Sequence, residues 1–124
     1  LPPGYAVRRY EIKEVALENI VDKIWGSPVA LPIKETPHYK YLIGDKQPLR
    51  DYFQSCRGYT WARPGTPHQN MTVDNLLVEF EKVINSEKDY YIIVKSNWHC
   101  IDGLRRACIL LANGVEKAPI AWVY

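Results

Sequence analysis

The sequence predicts one domain that mixes β-strands with α-helices. Three observations lead there. The chain has 124 residues, 47% apolar and 24% charged, which suits a single globular domain with a real core. Apolar residues recur at helical spacing in several capped segments. Between and around those segments lie short apolar runs of strand character.

The elements follow in order. Residues 1–9, beginning "LPPG", read as an irregular lead-in. "YEIKEVAL" (10–17) alternates apolar and charged side chains and predicts a strand running into "ENIV". "IWGSPVALP" is broken by Gly26, Pro28 and Pro32 and predicts a loop. In "IKETPHYKYLIGD" Thr36 is placed to cap a short helix, with Pro37 in its first turn and Gly44 at its stop. "QPLRDYFQSC" (47–56) puts Leu49, Tyr52, Phe53 and Cys56 on one helical face. "RGYTWARPGTPHQN" is the longest loop candidate, and long ordered loops are often functional. "TVDNLLVEFEKVINS" (72–86) is the clearest helix, capped by Thr72 and striped by Val73, Leu76, Leu77, Phe80, Val83 and Ile84. "DYYIIVK" and "WHCI" predict two strands joined by a turn at "SN". A further helix buries Leu104, Cys108 and Leu111 and ends at Gly114, and "APIAWVY" closes as a strand.

Charge and cysteine usage narrow the function. With 16 basic and 14 acidic residues the net charge is +2, too balanced to predict duplex DNA binding, although a small anion needs only a local basic site. Nine tyrosines and four tryptophans are read as an aromatic-rich core, with stacking on bases as the sharper alternative. Cys56, Cys100 and Cys108 are odd in number and not closely paired, which predicts reduced thiols and a cytoplasmic protein. No apolar run approaches the ~20 residues of a membrane span.

The chemistry concentrates in "CIDGLRRACILLANG" (100–114). A helix N-terminus is electropositive and ordinarily favours acidic neighbours. Here Arg105 and Arg106 sit in the first turn behind Asp102 and Gly103. Gly103 allows a sharp bend or a close ligand approach. Free first-turn amides then suit phosphate, and arginine forks match its oxygens. Asp102 is open to several roles: a helix cap, a partner for arginine, or a contact for a ribose hydroxyl, a metal ion or a reacting hydroxyl. The plain alternative is that Asp102 only caps the helix and both arginines are solvated.

"CIDGLRRACILLANGVEKAPIAWV" resembles the phosphate-binding segment of the ParB/sulfiredoxin-like superfamily, in which a Gly-x-Arg-Arg signature precedes an apolar helix, a glycine and a proline-containing strand. Gly103, Arg105, Arg106, Ala107, Gly114 and Pro119 match that layout. "EIKEVALENIVD" resembles the opening strand and Leu-x-x-Ile turn of ParB-like domains, and "MTVDNLLVEFEKVI" falls where they have a helix; Gly26 to Asn70 is poorly covered. The resemblance implies an α+β fold, a small mixed sheet packed with three to four helices. It also implies binding of ATP or CTP, or another phosphorylated small molecule, with Asp102 beside the phosphates; a Mg²⁺ ion bridging them to Asp102 is an added expectation. Gly103, Leu104, Arg105 and Arg106 would form the cradle, and phosphoryl transfer or hydrolysis is the activity it allows. Superfamily kinases use an acidic residue from the N-terminal half as a base or metal ligand, a part Glu35 would fill.

Departures from the pattern matter as well. Leu104 stands where sulfiredoxins carry their reactive cysteine and Arg105 where they carry histidine, which argues against sulfinic acid reduction. The helix-turn-helix that follows this region in segregation ParB proteins is not visible, which argues against operator binding. A nucleic-acid-binding or regulatory module without catalysis is the alternative function.

Other constellations are weaker. His38, His68 and His99 are scattered, and His99 and Cys100 point to opposite faces of a strand, so no metal site held by protein ligands alone is expected. His38 lies in a polar stretch with Lys34, Glu35, Thr36, Tyr39 and Asp45. It is a candidate catalytic residue beside Asp102 and Glu35, against the bland reading of a surface turn and helix. The oligomeric state has no signature in the sequence.

Overall fold

The computed structural model describes residues 9–85 and 91–124. The expected lead-in therefore lies outside the described residues apart from Arg9, as do Ser86, Asp89 and Tyr90 of the predicted elements. The architecture is α+β: among the described residues, four α-helices pack with a four-stranded mixed sheet and a small two-stranded one.

Strand β1 (Tyr10–Ala16) pairs antiparallel with β6 (Lys117–Val123), with Tyr10 opposite Val123 and Ala16 opposite Lys117. β6 runs parallel to β4 (Ile92–Lys95), Ile92 lying opposite Ile120. β4 turns back antiparallel into β5 (Cys100–Asp102), which gives the order β1-β6-β4-β5. A parallel pair needs a crossover, and the helix between β5 and β6 belongs to it. β6 alternates as a half-buried strand does, sending Ala118, Ile120 and Trp122 inward and leaving Lys117 and Pro119 outside. β1 is an edge strand and carries Glu11, Lys13 and Glu14, charges that discourage edge-to-edge pairing.

The helices are α1 (Pro37–Leu42), α2 (Gln47–Ser55), α3 (Val73–Asn85) and α4 (Leu104–Ala112). Thr36 caps α1 as predicted: its hydroxyl accepts from the Tyr39 amide at 3.3 Å, and Pro37 follows. Thr72 Oγ1 accepts from the Asn75 amide at 3.2 Å in front of α3.

Three expectations are corrected. The first strand stops at Ala16, because Leu17 turns to donate its amide to Glu116 O at 2.9 Å and opens a 3-10 turn, Leu17–Asn19. The loop predicted over "IWGSPVALP" contains β3 (Leu31–Pro32), which pairs with β2 (Val21–Asp22) before a 3-10 turn at Ile33–Glu35. The strand predicted at "WHCI" begins only at Cys100, because Trp98 takes a positive φ of 71° in the turn after β4, where its amide donates to Lys95 O at 3.0 Å.

Burial follows two clusters. One gathers Ile92, Val94, Ile120 and Trp122 of the sheet with Leu17, Ile20, Ile33 and the inner face of α4. The other is helical and aromatic: Tyr41, Leu49, Phe53, Trp61, Leu77 and Phe80 from α1, α2, α3 and the loop between the last two. Thr36 Oγ1 and Cys108 Sγ lie 3.7 Å apart and tie the start of α1 to α4.

Candidate functional site

The seam between the two clusters holds a cavity of about 770 Å³. One wall is the end of β5 and the start of α4: Cys100, Asp102, Gly103, Leu104 and Arg105. The facing wall is aromatic, with Tyr52 and Phe53 from α2, Trp61 from the following loop and Phe80 from α3.

Gly103 makes the bend. Its φ of 101° and ψ of 21° are left-handed, a conformation that favours glycine. A Cβ added there would stand 3.0 Å from Ile92 Cα and 3.3 Å from Ile92 Cβ. Glycine is thus required twice over, for the turn and for the approach of α4 to β4. Gly103 O accepts from the Ala107 amide at 2.9 Å and starts the helix. No side chain caps it. Asp102 is therefore not the N-cap that the sequence allowed; it ends β5, exposed at the cavity wall. The uncapped first-turn amides and the positive end of the helix dipole belong to the residues that line the cavity.

The arginine pair divides. Arg105 lines this cavity, whereas Arg106 lines a second hollow of about 520 Å³ with Tyr91, Leu110, Lys117 and Pro119. The expectation that both guanidinium groups flank one ligand is corrected: residues ~100° apart on a helix face different neighbours, and here one side meets the cavity and the other the β4–β6 side. Glu35 is also corrected. Ile33 and Thr36 take the buried positions of that turn, so Glu35 is exposed and lies outside the cavity lining.

His38 does reach the cavity, from α1. Its ring meets Tyr52 edge-on at 5.2 Å and lies 6.4 Å from Phe53 and 6.0 Å from Phe80. The residue is only 9% exposed. Among the described residues its buried Nδ1 finds no hydrogen-bond partner. Burial, with the nearby Arg105 charge, lowers the imidazole pKa to about 4.

The sequence reading missed several lining residues. Asp22 ends β2 and Lys23 follows it, His68 comes from the long loop and Glu79 from α3. Glu79 had a visible signal: it sits three residues after Leu76 and four before Val83, a carboxylate inside the apolar stripe of α3. Burial pushes the Asp22 carboxyl up, partly offset by a hydrogen bond with the Cys100 thiol. Burial, then the Asp22 charge, pushes the Cys100 thiol well up, and Cys100 Sγ donates to Asp102 O at 3.3 Å. Glu79 is paired with Lys82 at 3.3 Å, which leaves Asp22 and Asp102 as the hard oxygen donors in a lining that also holds Arg105. That donor set suits Mg²⁺, which is commonly held by one or two carboxylates together with substrate phosphates. Among the described residues no group of three or more His, Cys, Asp or Glu is arranged to hold a metal ion by itself, and no helix is long and apolar enough to cross a membrane.

No family model matches the chain, and neither a curated protein nor a solved structure matches it significantly.

Proposed function

We propose that this chain binds a nucleotide, ATP or CTP, or a related phosphorylated small molecule, in the cavity at the start of α4. The observation that carries the proposal is a convergence: the uncapped N-terminus of α4, Arg105 and His38, whose buried Nδ1 has no partner among the described residues, all line one cavity. Amides and guanidinium favour a tetrahedral oxyanion. The aromatic wall gives a planar base a surface to lie against. Asp102, with Asp22, would hold the Mg²⁺ that accompanies the phosphates. The resemblance of residues 100–123 to the ParB/sulfiredoxin-like superfamily points to the same ligand class.

Calorimetric titration with ATP and with CTP, each with and without Mg²⁺, is the test. Saturable binding of one of them supports the proposal. If neither binds under any of these conditions, it fails.

A second reading has one observation in its favour. Trp25 and Tyr59 are exposed and stack with ring centroids 5.5 Å apart, a surface on which bases of a single strand could stack. It requires retention of single-stranded nucleic acid at low salt that falls steeply as salt rises.

A further inference from the structure

We propose that His38 is the second contact of the bound anion: the anion lies between Arg105 and the His38 imidazole, and the imidazole takes up a proton from solvent as the anion enters. The inference rests on the phosphate reading above and adds to it a specific residue and a proton.

Three structural facts carry it. First, His38 is held in place. The Thr36 cap and Pro37 fix the start of α1, and Tyr52, Phe53 and Phe80 pack against the imidazole. Second, those neighbours are what a phenylalanine would have, yet the ring carries a buried nitrogen without a partner among the described residues. An orphaned buried polar atom is destabilising, a cost that a hydrogen bond to a ligand oxygen would remove. Third, that nitrogen belongs to a ring that shares its cavity with Arg105.

Burial and the Arg105 charge hold the imidazole neutral. A dianion between the two removes the second effect and adds an attraction, so the imidazolium becomes the favoured form. Other groups reach the cavity from each packed element. α2 contributes Tyr52 and Cys56, and α3 contributes Glu79. β5 contributes Cys100 and Asp102, and α4 contributes Arg105. Asp22 from β2, its carboxyl pushed up by burial, is the competing site for the proton, and Lys23 and His68 also line the cavity. Tyr52 and Cys100 are pushed up by burial and do not compete.

The probe is inorganic sulfate, because it does not itself titrate near neutral pH. The whole chain is titrated with sodium sulfate by calorimetry between about pH 5 and about pH 8, in buffers of different ionisation enthalpy. Affinity is expected to rise by up to about tenfold for each unit that the pH falls, with matching proton uptake. His38→Gln keeps a polar side chain and is expected to bind sulfate with a nearly flat pH dependence. Proton NMR of the wild-type imidazole supplies a readout free of any folding defect: the His38 titration midpoint should move up when sulfate is added. An unmoved His38 resonance, or an unchanged slope in His38→Gln, overturns the inference and leaves anion binding standing. Failure of the wild-type chain to bind sulfate, ATP or CTP overturns both.

Discussion

Gly103 and Ile92 approach each other so closely that the space for a Cβ on the glycine is already taken by the Ile92 backbone. The helix that carries the candidate anion site is thus seated directly on the central part of the sheet. Gly103→Ala is expected to destabilise the fold by about 2–3 kcal/mol, the sum of left-handed strain and overpacking. Chemical denaturation checks this. Alanine at the exposed Gly58, where an added Cβ meets nothing within 4 Å, should cost only the strain.

The divided arginines give a sharp comparison. Arg105→Ala should weaken nucleotide binding by about 1.5–3 kcal/mol, the range for hydrogen bonds to charged groups. Arg106→Ala should leave it nearly unchanged. Parallel titrations of the two variants decide the matter, and equal losses would contradict the assignment of one cavity to Arg105.

His38 also shapes acid stability. An exposed histidine titrates near 6.5, and burial lowers this one to about 4. Between those values the unfolded chain holds a proton that the native chain refuses. The stabilising contribution is therefore whole above pH 6.5 and is lost as the pH falls through about 4. Its size is about 3 kcal/mol. His38→Phe keeps the ring contacts and removes the titration. Its unfolding free energy should fall less between those pH values than that of the wild type, while sulfate binding, left to Arg105 and the α4 amides, weakens and loses its pH dependence.

The thiols should be inert in the native state. Burial pushes Cys108 up to about 12, and Cys100 is pushed up further with the Asp22 charge beside it. The thiolate is the reactive form. Both cysteines should react far more slowly with a disulfide reagent at mildly alkaline pH than they do after denaturation, and stopped-flow absorbance measures the ratio.

Legibility in the sequence followed the range of the interaction. The cap at Thr36, the Pro37 start and the stripe of α3 are local, and they stood as predicted. The pairing of β2 with β3 joins residues about one loop apart and left no periodic trace in two-residue strands. With it went Asp22 and Lys23, which reach the cavity only because that ribbon forms. The bend at Gly103 was readable, but the separation of Arg105 from Arg106 was not. Helix geometry gives the angle between them, whereas the packing of α4 on β4 decides which hollow each one meets. Glu35 was misplaced for a related reason: a 3-10 turn that buries Ile33 and Thr36 turns Lys34 and Glu35 between them outward.

Trp61 is part of the cavity wall and donates its indole N–H to Phe53 O at 2.9 Å. The other tryptophans are elsewhere: Trp98 packs on Trp122 at 4.8 Å, and Trp25 stacks on Tyr59. The cavity lining thus carries a single tryptophan, Trp61. An occupant of the cavity would register as a partial change in emission, with the light from the other three indoles serving as an internal reference.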